Sequence, residues 1–174
     1  MMRLLVVIIL MGMVGCASEA KPLANLTFSV IQKAPAGYTI EFYSDIEIDS
    51  LFASESTRKI VSRQLICALE NDRNFSVEHK ITRFFSGDVE LQKTDSDNSD
   101  RGYRYLSNGL FYLSFNNGSR LAKLTEREVI NLLSVQDELE CKVVMTVFLS
   151  KPYYSAAMKI PVAQVVKLLR ENKS

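Results

Sequence analysis

Short segments in which apolar and polar residues alternate recur along this chain, separated by residues that favour turns. The first two lie at 26–32 and 38–43, on either side of Pro35-Ala36-Gly37. Alternation with a period of two is typical of a strand with one buried face, and Pro and Gly end such strands. The spacing therefore predicts an opening β-hairpin and an antiparallel sheet.

Two Asn-Gly pairs, Asn108-Gly109 and Asn117-Gly118, favour hairpin turns, because a type I′ turn needs two residues that tolerate positive φ. They predict a meander with strands at 103–107, 110–116 and 119–124. Alternation also predicts a strand over 75–84, which Gly87-Asp88 turns back into 89–92. The segments 139–149 and 155–160 predict the last two strands.

Apolar residues at helical spacing predict three amphipathic helices. The first covers 54–71, with Val61, Leu65 and Leu69 on one side. The second begins after Thr125, which forms a capping box with Glu128. The third begins at Pro161, where the missing N–H of proline costs nothing.

These elements predict an α+β fold, a mostly antiparallel sheet with about three amphipathic helices packed on one face. Residues 119–125 align with 155–161 at an offset of 36, and the helices that follow them align at the same offset. This match suggests a duplicated ββα unit. Any hairpin that leads into an amphipathic helix looks similar, so chance similarity stays open as the alternative.

The N-terminus carries one cation at Arg3, an apolar run over 4–11 and then Met13-Val14-Gly15-Cys16. A cation, a short apolar region and small residues are typical of a secretory signal peptide, and the run is too short to span a bilayer comfortably. Met13-Val14-Gly15-Cys16 resembles the lipobox of bacterial lipoproteins, although Met13 stands where Leu is usual. An ordinary signal peptide cut after Ala17 is the alternative.

The resemblance covers residues 1–16 only, and no family is recognised for the rest. It implies that residues 1–15 are removed and that Cys16 carries a diacylglycerol and further acyl chains, which anchor the protein stably in a membrane. Ala17 after the cysteine suggests the outer membrane, facing the periplasm. Residues 16–25 then form a lipidated tether, and 26–174 form a single α+β domain.

Two cysteines remain once Cys16 carries lipid. In an oxidising periplasm Cys67 and Cys141 are expected to form a disulfide. Two separate buried thiols are the alternative, because free cysteine is among the residue types most often buried.

Charge and motifs exclude several functions. Without Arg3, 20 basic residues balance 20 acidic ones, so nothing favours nucleic acid. No nucleophile elbow, phosphate loop or zinc motif is present, and no cofactor is expected beyond the lipid. His79, the only histidine, is predicted to lie in the core or at a sheet edge. Asp45, Glu47 and Asp49 fit a solvated strand face better than a metal site. A calcium loop starting at Asp95 fails, because Asp100 and Leu106 stand where it needs Gly and a carboxylate.

Five tyrosines near the meander and the last turn are the best prediction for a partner surface, since a tyrosine ring packs while its hydroxyl stays hydrated. They are Tyr103, Tyr105, Tyr112, Tyr153 and Tyr154.

These observations lead to three hypotheses. The first is a non-enzymatic envelope lipoprotein that acts by contact with a protein partner, in an assembly or in maintenance of the envelope. The second is a periplasmic immunity or inhibitor lipoprotein that blocks a toxin or a cell-wall hydrolase, with the acidic loop 95–100 in the cleft. The third, and weakest, is a hydrolase that uses carboxylates alone.

Overall fold

The computed structural model of the chain describes residues 21–53, 59–76, 78–92, 102–148 and 150–171. Within these ranges there are nine β-strands, two α-helices and two short 3-10 turns. The strands are β1 (Leu26–Ala34), β2 (Gly37–Ser44), β3 (Ile60–Ala68), β4 (Arg83–Leu91), β5 (Tyr103–Phe115), β6 (Arg120–Lys123), β7 (Glu138–Val147), β8 (Tyr153–Tyr154) and β9 (Met158–Pro161). The helices are α1 (Glu126–Leu133) and α2 (Val162–Arg170), and the 3-10 turns are Asp49–Phe52 and Asn116–Gly118.

All nine strands join one antiparallel sheet, in the order β1-β2-β5-β4-β3-β7-β8. The long strand β5 pairs with β2 over its first half and with β6 over its last residues. Strand β9 pairs with β7, beside β8. The predicted opening hairpin is confirmed, because β1 and β2 pair from Leu26 opposite Ser44 to Ala34 opposite Gly37.

The two ends of the sheet meet. The amide of Ala156, just before β9, donates to the carbonyl of Ala24, just before β1, over 2.9 Å. Tyr153 reinforces this junction, because its hydroxyl accepts from the Ala24 amide at 2.8 Å and donates to the Pro22 carbonyl at 3.1 Å. The curled sheet therefore has an inner face, which encloses the core, and an outer face.

The core lies between the inner face and the two helices. Both helices are amphipathic, and α1 contributes Val129 and Leu133 while α2 contributes Val165 and Leu169. The largest buried aromatic side chains come from the sheet: Phe42, Phe85, Tyr105 and Phe111. Burying apolar surface between sheet and helices is the main source of stability in such an arrangement.

The predicted disulfide is confirmed. Cys67 on β3 and Cys141 on β7 lie directly opposite each other, with 4.0 Å between their Cα atoms, and both are fully buried. The bridge joins residues 74 apart in sequence and pins two neighbouring strands on the inner face.

The fold prediction was wrong about the helices. The helix expected over 54–71 is not formed where the chain is described, because residues 60–68 are strand β3. β3 lies between β4 and β7, and it packs apolar side chains on both faces: Leu65 and Cys67 inward, Ile66 and Ala68 outward. Apolar residues on both faces break the alternation and imitate a helical period.

Two predicted turns were also wrong. Asn108-Gly109 lies inside β5 and Gly87-Asp88 inside β4, where Gly87 pairs with Gly109 and Asp88 with Asn108. A Cβ atom at Gly109 would overlap the carbonyl oxygen of Ser86 on the next strand. These glycines allow two strands to approach closely, which is the other common role of glycine in a sheet. The strand expected over 75–84 begins only at Arg83.

The capping box is confirmed, and so is the position of the turn at Asn117-Gly118, but the turn is a 3-10 turn with positive φ at Asn116 and Gly118 rather than type I′. Gly118 has a φ of +86° in the turn between β5 and β6. The Thr125 hydroxyl accepts from the Glu128 amide at 3.3 Å, and the Glu128 carboxylate accepts from the Thr125 amide at 2.8 Å.

The suggested duplication extends only to its strand-helix half. β6 leads into α1 as β9 leads into α2 at the offset of 36, but the hairpins differ. Ala122 lies opposite Leu113, whereas its counterpart Met158 lies opposite Cys141 rather than Leu149.

Candidate functional site

The outer face of the sheet carries a groove of about 800 Å³, large enough for a short peptide or a small organic ligand. Its floor is formed by β3, β4 and β5. One wall is the loop before β4, through Phe75 and Lys80, and the other is the β1–β2 turn at Ala34–Gly37. One end is bordered by Gly118 of the turn between β5 and β6 and by Leu121 of β6.

The strand register arranges the floor in rows that cross the sheet. The first, here called the apolar row, sets Ile66 and Leu110 on either side of Ser86. An aromatic row follows, in which Phe84 lies opposite Tyr112 with 6.0 Å between ring centres. The floor therefore offers partly exposed apolar surface on three adjacent strands.

A polar row lies on the other side of the apolar one. It joins Gln64, Asp88, Asn108 and Thr39 across four strands. The Thr39 hydroxyl donates to the Asn108 side-chain oxygen at 2.6 Å. The Asp88 carboxylate is exposed and has no partner among the described residues. This row thus keeps an acceptor and an amide N–H₂ group available for a ligand.

Three glycines contribute backbone atoms to the groove, but Gly87 and Gly109 alternate with its outward side chains, so a Cβ atom on either would point to the inner face. Gly37, Gly87 and Gly109 line the groove from β2, β4 and β5. At each of them an added Cβ atom would overlap a neighbouring backbone atom, Gly109 O in the case of Gly37. The close strand packing therefore requires glycine at these three positions, here called the glycine strip.

The wall beside the aromatic row is a small second cluster of apolar residues. Ala68, Phe75 and Ile81 form it, with Phe84 and Tyr154 packed against it. The ammonium group of Lys142 lies 5.4 Å from the centre of the Phe75 ring, within cation-π range. The cluster fixes the loop before β4 on the sheet and gives the groove a defined edge.

His79 lies at the rim of this groove, not in the core or at a sheet edge, so that prediction was wrong. Its Nε2 atom is 2.5 Å from the Asp72 carboxylate, and this hydrogen bond holds the pKa of Asp72 below its usual value. A serine triad would need a hydroxyl bonded to the other ring nitrogen. Within the described residues no hydroxyl makes that bond, so the pair lacks a nucleophile.

The five predicted tyrosines do not share one surface. Tyr105 is buried beside Phe42, and burial raises its pKa to about 12. Tyr153 is buried at the junction of the sheet ends, and Tyr103 is exposed elsewhere. Only Tyr112 and Tyr154 lie on the outer face at the groove or its wall.

The acidic stretch expected on a strand face is a turn leading into a 3-10 turn. Asp45 accepts two hydrogen bonds from Asn25, which lower its pKa. Asp49 binds the Arg63 guanidinium at 2.6 Å. These carboxylates hold Asn25, just before β1, and Arg63 of β3 in place. Searching the described residues finds no group of His, Cys, Asp and Glu suited to a metal ion.

Three predictions fall outside the described residues: the signal peptide 1–15, the lipid site Cys16 and the acidic loop 95–100. Among the helices that are described, none has the length and apolar character needed to cross a bilayer.

Sequence reasoning missed the groove. Its floor residues lie on strands that were misread as a helix and as turns, so their neighbours across the sheet were unknown. The available signal was the pair Gly87 and Gly109, each inside a stretch rich in β-formers.

No protein-family model matches this sequence, and searches of curated proteins and of solved structures found no significant match.

Proposed function

We propose that this protein is a lipid-anchored component of the bacterial envelope that acts without catalysis, by holding a segment of a partner protein in the groove on its outer face. The observation that carries the proposal is the groove itself, which combines partly exposed apolar rows with unused polar groups. That combination is common in interfaces, where an apolar centre gives affinity and polar groups give orientation.

The side chains in the groove favour binding over chemistry. The His79 ring is bound to Asp72 through Nε2, and its other ring nitrogen bonds to no hydroxyl among the described residues. The Asp88 carboxylate is exposed and forms no hydrogen bond or ion pair among the described residues, so no second titratable group is positioned beside it for acid-base catalysis. The Tyr112 hydroxyl and the Asn108 amide suit hydrogen bonding to a peptide backbone.

The location rests on Cys16 and its lipobox. A flexible chain of about nine residues spans roughly 17 Å, which keeps the domain close to the membrane. Such a position suits contact with other proteins of the outer membrane or the adjacent periplasm.

Crosslinking in the full chain tests the function. A photoreactive phenylalanine at Tyr112 in the groove is compared with one at Val135, which is 80% exposed on the turn after α1. We expect one adduct, specific to Tyr112, whose partner is identified by mass spectrometry. That purified partner should bind the full chain about tenfold more weakly when Ser86→Trp fills the floor.

The same experiment can refute the proposal. Equal adducts from both positions, or binding that Ser86→Trp leaves unchanged, would mean that the groove is not the binding site.

The anchor has its own test. Full-length Cys16→Ser should incorporate no radioactive palmitate and leave the membrane fraction, while the parent chain is labelled. Palmitate labelling that persists in Cys16→Ser would contradict the proposed anchor.

A further inference from the structure

Strand β6 has one free edge. It pairs with β5 on one side, and no other strand of the described ranges pairs with it. The Leu124 amide donates to Phe111 across this ladder at 2.9 Å. Since antiparallel hydrogen bonding alternates from residue to residue, Ala122 and Arg120 also face β5. The N–H and C=O groups of Leu121 and Lys123 point the other way and have no partner among the described residues.

The side chains of β6 are exposed along its whole length. Leu121 is half exposed, at 50%, and borders the groove. A free edge beside an exposed apolar side chain is the arrangement that accepts an added strand, in which the backbone gives affinity and alternate side chains give specificity.

Charge indicates what kind of strand fits. Arg120 and Lys123 stand at the two ends of β6, and Arg120 forms no ion pair within the described ranges. Glu126, which interacts electrostatically with Lys123, already binds Lys33 at 3.2 Å and the Tyr38 hydroxyl at 3.0 Å. Burial opposes the charge of Glu126, yet these bonds and the charges of Lys33 and Lys123 lower its pKa.

A second copy of this chain is a poor occupant. Two β6 edges side by side would bring Arg120 and Lys123 of both copies together, and repulsion between these four positive charges disfavours such a pair.

We propose that β6 accepts an extended segment of the partner protein as an added antiparallel strand, and that this segment carries acidic residues opposite Lys123 and Arg120 and an apolar residue opposite Leu121. The inference rests on the proposed function and names the chemistry of the partner. The apolar residue would share the face of Leu121 and so enter the end of the groove, because residues opposite each other point to the same face.

The register defines a probe, the capped peptide serine-glutamate-threonine-valine-glutamate-serine. Its two glutamates fall opposite Lys123 and Arg120, and its valine opposite Leu121. N-methylation of the valine removes a hydrogen bond to β6. N-methylation of the threonine, opposite Ala122, blocks an N–H that points away and serves as the matched control.

Binding of fluorescent peptides to the full chain in detergent is measured by anisotropy at low salt. We expect the valine-methylated peptide to bind about tenfold more weakly than the parent. The threonine-methylated peptide should match the parent. A peptide with lysine in place of both glutamates should also bind about tenfold more weakly. A protein variant that carries both Arg120→Glu and Lys123→Glu should restore the affinity for this lysine peptide. Hydrogen exchange at the Leu121 amide should slow on binding.

Each contrary result has one meaning. Equal binding of the two methylated peptides would show that the segment enters through its side chains, so strand addition would be wrong while the proposed function stands. Strand addition would also be wrong, and the proposed function would stand, if no peptide binds but the Tyr112 adduct still forms. If no peptide binds and no Tyr112 adduct forms, both proposals are refuted. A dimer that forms through β6, detected by sedimentation, would identify a second copy as the occupant and overturn the inference.

Discussion

Neighbouring residues of β4 and β5 point to opposite faces of one sheet and meet different surroundings. Phe85 and Phe111 point inward, are almost fully buried and pack edge to face with 5.4 Å between ring centres. Phe84 and Tyr112, one residue away on each strand, point outward and stay partly exposed. The same two strands therefore build both the core and the groove, and the alternation of side chains separates stability from binding.

The largest contrast is expected between Phe85→Ala and Phe84→Ala. Removing Phe85 leaves a cavity in the core and should lower the free energy of unfolding by about 3 to 5 kcal/mol. Removing Phe84, which is half-buried, should cost about 1 kcal/mol. Urea unfolding followed by circular dichroism measures both. Equal losses would show that the outer aromatic row is part of the core.

The inner face is also held by its disulfide. Replacing Cys67 and Cys141 together by alanine should lower the free energy of unfolding by about 3 kcal/mol, because the unfolded chain regains freedom over a long loop. Thermal unfolding of both proteins, each without reductant, gives the difference. If the disulfide-free protein unfolds at the parent temperature, β3 and β7 are held by their other contacts alone.

The glycine strip sets the spacing of β4 and β5, which affects both faces of the sheet. Gly109→Ala places a methyl group against the backbone of Ser86 and should lower the free energy of unfolding by about 2 kcal/mol by forcing β4 and β5 apart. Ser114→Ala, further along β5, is the matched control and should have little effect. Unchanged stability in Gly109→Ala would mean that the strands separate there without cost.

The smallest effect is expected at a charge pair on the outer face. Arg104 binds Glu41 at 2.5 Å, and this hydrogen bond, opposed by burial, lowers the pKa of Glu41. A carboxylate with a depressed folded pKa stabilises the fold above its unfolded pKa of about 4.3, and that contribution is lost as the pH falls through the folded pKa. Glu41→Gln should cost less than about 1 kcal/mol at pH 7, and the difference from the parent should shrink below about pH 4.

Urea unfolding at pH 7 and pH 3 measures this change. Glu90→Gln is the control, because Glu90 is exposed on β4 and forms no ion pair in the described part of the chain. A cost for Glu41→Gln that is the same at both pH values would rule out the ion pair as its cause.

Local signals in the sequence predicted local structure well. The β1–β2 hairpin, the position of the Asn117-Gly118 turn and the capping box at Thr125 each depend on residues that are close in sequence, and each is confirmed. The Cys67–Cys141 disulfide was predicted by counting cysteines rather than from geometry, and it is confirmed too.

The errors arose where distant strands decide the structure. Asn108-Gly109 has the local chemistry of a turn, but pairing of β5 with both β2 and β4 keeps it extended. The helix predicted over 54–71 failed because β3 is covered on both faces. The groove depends on the continuous strand β5 and on strand β3, so it could not be predicted without the strand order.

The junction at Tyr153 has a mechanical consequence. Its hydroxyl forms hydrogen bonds with the backbone of Pro22 and Ala24, where the chain enters the domain from the side of Cys16. If Cys16 carries the proposed acyl chains, tension between the membrane and a bound partner would pass through these two hydrogen bonds before it reached the strands. Tyr153→Phe removes both bonds and would release the segment before β1 while the sheet stays folded.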